Sequence, residues 1–387
     1  MSETAVVDRM FGETRLALLD PDGRLLEIHH FRDEDALRPG DIHRGRVTAA
    51  APALGGAFVS IGAETVLLKA PPRAIPPEGS PVVVTIRRLA RPPKLATAAL
   101  CDPPPGHEVA GPPGLLFREA EPWLALLDAR GTERIGRILV EEPELRAAAM
   151  GVPWAAERLV MERKPEPLMA RLGIEAEIEA LASPAVPLPG GGRITIEETQ
   201  ALTAIDVDAG TATGRDERST ARGVNAAAAR EIARQLRLRR IGGLVVVDFL
   251  RLRNPKDRER LIADFTAALA SLPWNHAVGR FSRFGLLDLE IAHPGRSLAA
   301  EIAAPEAAGR FNLATLARRA LRAALTEARA NPGRPVAIRT RNDALARRIM
   351  DLCPGEAFLR LAGAPLEIVV DQGLDSSDYD TYLRSKG

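Results

Sequence analysis

The sequence predicts a mixed α/β (α+β) chain of several subdomains, and three stretches carry that prediction. Residues 40–97 contain only short strand-like runs: Arg44–Ala49, Gly56–Ile61, Thr65–Leu68 and Pro81–Arg87. Gly and Pro separate them, which is the pattern of a compact all-β unit. Residues 202–249 read as strand, long helix, strand, and residues 300–372 give a smaller α/β pattern. At 387 residues the chain is also long for one core.

Each element has a local reason. Thr14–Leu19 and Leu25–Phe31 flank Asp20-Pro21-Asp22-Gly23, a strong turn, so residues 14–30 read as a hairpin. Pro-rich residues 92–114 close the all-β unit. Gly114–Phe117 and Trp123–Leu127 then read as strands, and Glu142–Met150, Pro153–Met161 and Ile174–Ala182 as short helices. Ser183–Gly192 is a boundary or ordered turn. Arg193–Glu197 and Leu202–Val207 alternate like paired strands. Arg222–Arg240 has apolar residues at 224, 228, 232 and 236, a helical stripe with arginines on the other faces. Gly242-Gly243 ends it and Leu244–Phe249 reads as a buried strand. Asn254-Pro255 caps a second helix running to about Leu272. This spacing implies a right-handed crossover and a parallel strand pair. Further on, helices are expected near 312–330 and 342–352, with strands near 335–339 and 366–370.

Composition narrows the class. Net charge is +1, so a nucleic-acid partner has to be read from local clusters. Cys101 and Cys353 are the only cysteines, which argues against a disulfide framework or a cysteine-rich zinc site. The N-terminus lacks a leader-like pattern and no apolar run reaches membrane-spanning length, so a cytoplasmic location is expected.

Asp206 lies in Leu-Thr-Ala-Ile-Asp-Val-Asp and Asp248 in Leu-Val-Val-Val-Asp-Phe-Leu. If both strands are buried, two ionised carboxylates there are costly unless bound to a cation. Parallel neighbours bring their C-terminal ends together, the usual ligand edge of α/β sheets. Mg²⁺ takes one or two protein carboxylates and fills its other positions with water and phosphate. On pattern alone, a helix-capping role for either aspartate stays open.

The wording of the segment adds to this. Glu198-Thr199-Gln200-Ala201-Leu202-Thr203-Ala204-Ile205-Asp206-Val207-Asp208, Glu231–Arg239, Gly242–Phe249 and Ser282-Arg283-Phe284-Gly285-Leu286-Leu287 resemble, in that order, the catalytic core of the RNase E/G endoribonuclease family. The resemblance implies that Asp206 and Asp248 hold a catalytic Mg²⁺. It also implies hydrolysis of single-stranded, often AU-rich RNA to 5′-monophosphate and 3′-hydroxyl ends. Asp208 stands where the family has an Asn that helps position the reaction, and is expected to orient water. Asn225 also matches a family position, with an ordinary solvent-facing helix residue as the alternative.

Gly40–Val47 and Gly55–Gly62 look like the OB-fold of the ribosomal S-one type found near the start of these proteins. OB-folds bind single strands by stacking bases on aromatics in a basic groove. Phe58 is the stacking candidate, with a core position as its alternative, and Leu68 stands where a second aromatic is expected. His43, Arg44, Arg46, Arg87, Arg88, Arg91 and Lys94 are candidates to track the phosphates, against a merely solvated charged face. Arg234, Arg237, Arg239, Arg251, Arg253 and Arg283 make the surroundings of the carboxylates basic, so RNA affinity is expected to depend on salt.

The resemblance further implies an RNase H-like scaffold split over 1–38 and 112–190, with the OB-fold inserted at 39–98. A DNase I-like catalytic subdomain at 191–295 and a small C-terminal α/β domain at 296–387 follow. Two departures stand out. After Leu287 the family's zinc-sharing cysteine pair is missing, and His293 alone reads as a loop residue, so no zinc and a monomer or zinc-independent dimer are expected. Where the family reads a 5′-monophosphate, this chain has only Cys101–Pro113, so cleavage is expected not to depend on the 5′ end. The competing reading is a non-catalytic RNA-binding protein that kept the fold.

Overall fold

β1 (Glu3–Met10) and β2 (Glu13–Leu19) form an antiparallel hairpin, with β3 (Leu25–Arg32) beside β2. In the computed structural model these belong to the described residues 2–90, 94–164, 166–214, 216–292, 295–304, 307–374 and 378–384. Arg91 and His293 lie outside them. The β1–β2 turn is Phe11-Gly12, both with positive φ (53° and 66°), which suits a two-residue hairpin. Phenylalanine is strained there. Burial of the Phe11 ring and the Arg318 Nε, which donates to the Phe11 carbonyl at 3.1 Å, hold it in place.

Residues 31–128 form a compact unit of their own, and residues 1–30 with 129–387 form the other. In the smaller unit, β4 (Ile42–Ala51), β5 (Gly56–Ser60), β6 (Thr65–Lys69), β7 (Pro81–Arg88) and β8 (Thr97–Leu100) pair in the order β5-β6-β8-β7-β4. Pairing of β4 with β5 closes a five-stranded barrel, consistent with an OB type, and β9 (Gly114–Phe117) lies outside against β4. The close approach at Gly56 requires glycine, because a Cβ there would meet the Leu68 carbonyl at 1.8 Å. Val47, Val59, Leu68, Val84 and Ile86 fill the barrel.

Trp123–Leu127 is part of a helix, Pro122–Arg130, and not a strand. Pro122 at its start and burial of Trp123, Leu124 and Leu127 at helical spacing explain the difference. The chain then adds β10 (Ile135–Val140) parallel to β1, and β11 (Leu159–Met161) parallel to β10, giving the sheet order β11-β10-β1-β2-β3. The helix expected over Pro153–Met161 stops at Ala156, and Leu159–Met161 is the edge strand β11.

A second, six-stranded sheet has the order β12-β13-β14-β15-β17-β16. Its strands are β12 (Ala185–Pro187), β13 (Arg193–Glu198), β14 (Thr203–Asp208), β15 (Gly243–Asp248), β16 (His276–Phe281) and β17 (Leu286–Ile291). Between β14 and β15 runs α1 (Glu217–Leu238), with Asp216 as its N-cap in a capping box with Ser219. Then α2 (Pro255–Leu269) starts at the Asn254 cap. Both helices cover one sheet face through Ala228, Ile232, Leu236, Leu261 and Phe265, packed on Ile205, Val207, Val245 and Val247. The C-terminal piece pairs Val336–Thr340 with Leu366–Val370 in parallel, and with Asp380–Leu383 in antiparallel, against helix Leu313–Ala330.

Candidate active site

β14 and β15 are parallel neighbours, and their register sets Asp206 directly opposite Asp248. Adjacent strands lie about 4.8 Å apart, so the two carboxylates rise side by side. The expectation that these strands are buried on both faces is not met. Ile205, Val207, Val245 and Val247 point to the helices, whereas Asp206 and Asp248 alternate onto an open face and are exposed. The helices cover only one side, so neither carboxylate bears a burial cost. Neither caps a helix: Asp216 and Asn254 do that.

The open face is acidic, because Asp208, Asp288 and Glu290 are also not covered. Among the described residues, neither Asp206 nor Asp248 has a side-chain hydrogen bond or ion pair, so both keep their full lone-pair capacity. No group of three or more His, Cys, Asp or Glu side chains that could hold a metal occurs among the described residues. An adjacent, unspent pair of like charges nonetheless fits Mg²⁺, which needs only one or two protein carboxylates.

Asp208 is differently placed. Its Oδ2 accepts from Arg193 Nη2 at 2.7 Å and its Oδ1 from the Gly210 backbone N–H at 2.8 Å. These contacts, the Gly210 N–H foremost and then Arg193, hold its carboxyl below the usual range. It is a neighbour of the pair that already has partners.

Asn225 is 1% exposed, so it is neither a surface RNA contact nor a solvent-facing residue. Its Nδ2 donates to the Leu250 carbonyl at 2.8 Å, and its Oδ1 accepts from the Leu250 N–H at 3.0 Å. It pins the backbone two residues beyond Asp248. Its helical spacing from the buried Ala221 and Ala229 was the available signal.

Arg234 and Arg237 near the C-terminal end of α1, and Arg239 just past it, also turn inward. Arg234 donates to Glu177 at 3.0 Å, to Glu231 and to the Leu25 carbonyl at 2.7 Å. Arg237 donates to Glu27 at 2.8 Å and Glu3 at 2.7 Å, and Arg239 to Gln235 and to the carbonyls of Leu181 and Ser183. All three knit α1 to the first sheet and its helices. Read from sequence as RNA contacts, they are instead largely buried cations engaged by protein partners. Arg251, Arg253 and Arg283 are exposed.

In the barrel, His43 points inward and is 5% exposed, so it does not track a phosphate chain. Alternation along β4 puts Arg44 and Arg46 outside. The Arg44 guanidinium donates to the carbonyls of Glu108 and Pro112, at 3.0 and 3.3 Å, and that of Arg46 to Gly79 at 2.7 Å. Phe58 is half-buried and faces Leu67 across β5 and β6, while Leu68 is inside the barrel. The position opposite the candidate stacking ring is therefore Leu67. Arg87, Arg88 and Lys94 are exposed.

The ribonuclease E/G family model matches residues 106–291, the stretch that holds both carboxylate strands, α1 and the β16–β17 hairpin. Over these residues the chain matches the ribonuclease E/G family. Ribonuclease E of Escherichia coli (strain K12) is 37% identical over 162 residues, which is 40% of this chain and 15% of that protein. Putative ribonuclease E of Buchnera aphidicola subsp. Baizongia pistaciae is 34% identical over 189 residues, 47% of this chain and 46% of that one. The chloroplastic ribonuclease E/G-like protein of Arabidopsis thaliana is 31% identical over 185 residues, 46% and 18% respectively. The matches thus span less than half the length of these ribonuclease E/G relatives. The family match does not reach back to the barrel.

Proposed function

We propose that this protein is a Mg²⁺-dependent endoribonuclease that hydrolyses single-stranded RNA to 5′-phosphate and 3′-hydroxyl ends. The observation that carries this reading is the in-register pair Asp206 and Asp248, exposed and unspent on one edge of a rigid parallel strand pair. An acidic face repels RNA, and a bound divalent cation reverses that locally. When bound, Mg²⁺ would lower the pKa of a water and offset charge on the phosphodiester.

The side chains then divide the remaining work. Asp206 and Asp248 would hold the cation, from two adjacent strands whose spacing the sheet fixes. Asn225 clamps Leu250, so the chain leaving Asp248 keeps its direction. Asp208, held by Arg193 and Gly210, presents a fixed carboxylate near the pair and orients the attacking water. The exposed Arg251, Arg253 and Arg283 bind phosphates of the strand. On the barrel, Phe58, Arg46 and Lys94 contribute RNA affinity, with one aromatic fewer than a two-ring platform.

The sheet order β11-β10-β1-β2-β3 supports an RNase H-like scaffold, and the mixed sheet under α1 and α2 a DNase I-like catalytic subdomain. In keeping with the absent cysteine pair, the protein works without zinc, as a monomer or a zinc-independent dimer, in the cytoplasm. The test is cleavage of a fluorescent AU-rich oligoribonucleotide with Mg²⁺ or EDTA, beside Asp206→Asn and Asp248→Asn. Mg²⁺-dependent cleavage that either substitution abolishes is expected. Cleavage that survives both sinks the assignment, as does RNA binding without any cleavage.

A further inference from the structure

Phe284 is 75% exposed, the most exposed large hydrophobic side chain of the described residues. It sits at the tip of the β16–β17 hairpin, and its backbone is fixed. Ser282 Oγ accepts from the N–H groups of Phe284 and Leu286, both at 3.2 Å. The Gly285 N–H donates to the Ser282 carbonyl at 3.0 Å. Gly285 supplies the positive φ (92°) that the turn needs. A rigid turn that holds a phenyl ring in water does nothing for the fold.

Its position relative to the carboxylates is set by register. β17 runs antiparallel to β15 with Leu286 opposite Asp248, so Phe284 overhangs the end of β15 that carries Asp248. One ring face is taken: the Arg283 guanidinium lies over it, 4.6 Å from the centroid. A cation there draws a phosphate-bearing chain and leaves the other face for an aromatic partner.

We propose that Phe284, backed by Arg283, is a base-stacking subsite for the RNA nucleotide next to the phosphate held at Asp206 and Asp248. The inference rests on the nuclease reading for the meaning of that phosphate, but not for the stacking itself. Phe284 is a positioning residue: it fixes the register of the strand and takes no part in bond cleavage. Stacking accepts any base, so it contributes affinity without strict sequence choice.

The test is a coupling cycle by fluorescence anisotropy, on the full chain with a cleavage-resistant 2′-O-methyl AU-rich oligonucleotide in Mg²⁺. A scan places one abasic site at each position in turn, against wild type, Phe284→Ala and Phe284→Tyr. One abasic position is expected to weaken wild-type binding about 5- to 150-fold, the worth of one stacked base. Phe284→Ala is expected to lose the same factor and to be insensitive to that abasic position only, while Phe284→Tyr restores both. Equal sensitivity of Phe284→Ala at every position overturns the subsite. If the cycle couples but the matching RNA is not cleaved by wild type, the nuclease reading fails and the stacking subsite stands.

Discussion

Both ends of the Asn225 side-chain amide are engaged by the backbone of Leu250, two residues after Asp248. The long helix thereby controls the exit of the strand that carries half of the carboxylate pair. Replacing Asn225 with Ala leaves a buried N–H and a buried carbonyl without partners, a cost of about 1–3 kcal/mol each at most. The expected result is a lower denaturation midpoint and a fall in kcat larger than the change in RNA affinity. Unchanged kcat with unchanged stability would remove Asn225 from any positioning role.

Glu27 ties three elements together. It accepts from Arg237 on α1, from Arg130 and from His29. Burial opposes its ionisation, but the His29 hydrogen bond and the charges of Arg130 and Arg237 prevail and hold its carboxyl at about 2, from a usual 4.5. A depressed carboxylate stabilises the fold above its unfolded pKa and loses that contribution as pH falls through the folded one. The Glu27 share of stability is therefore present above pH 4.5 and lost towards pH 2. Glu27→Gln is expected to destabilise by roughly 3–5 kcal/mol at pH 7, because it removes the carboxylate that Arg130 and the buried Arg237 share. Below about pH 2 the variant and the wild type should converge. Unfolding curves across this range check both.

Glu142 has the opposite sign. Burial, then the neighbouring Asp8 charge, push its carboxyl up to about 8. A raised carboxyl stabilises the protonated fold, fully so below pH 4.5, and the contribution disappears as pH rises through about 8. Glu142→Gln is expected to leave the denaturation midpoint unchanged at pH 4.5 and to raise it above pH 8. A variant no more stable than wild type at pH 8.5 contradicts this.

His43 and Arg46 lie three residues apart on one strand and face opposite ways. His43→Leu is expected to keep RNA affinity and its salt dependence. Arg46→Ala should weaken binding to all sequences and reduce the slope of log K against log salt by roughly 1. The reverse result would place the RNA on the other side of β4.

The segment before β9 is engaged with Arg44, through the carbonyls of Glu108 and Pro112. It brings no free cation to a terminal phosphate there. Matched 5′-monophosphate and 5′-triphosphate RNAs are therefore expected to be cut at indistinguishable rates, and a strong preference for the monophosphate is the contrary outcome.

Much of this was legible in the sequence, for physical reasons that can be named. The barrel strands are legible to within a few residues because Gly and Pro interrupt them. The strand–helix–strand unit was clear because Ala228, Ile232 and Leu236 repeat at the helical period. Trp123–Leu127 reads as a strand although it is helical, because so short an apolar run has no decisive period, and Pro122 marks a helix start as readily as a strand end. The inward turn of Arg234 and Arg237 is invisible in the sequence for a deeper reason. Their partners Glu177, Glu27 and Glu3 are remote in sequence, so a cation that welds two sheets looks the same in one dimension as one that meets RNA. The exposure of Asp206 and Asp248 was hidden because three consecutive valines suggest a strand covered on both sides.

The open face of the second sheet has one more consequence. Asp206, Asp248 and Phe284 neither fill the core nor bridge any two elements, so their loss costs the fold almost nothing. Selection for a folded chain does not protect them; only selection for the proposed reaction would. Within this architecture, descendants that remain well folded and silent are a single substitution away.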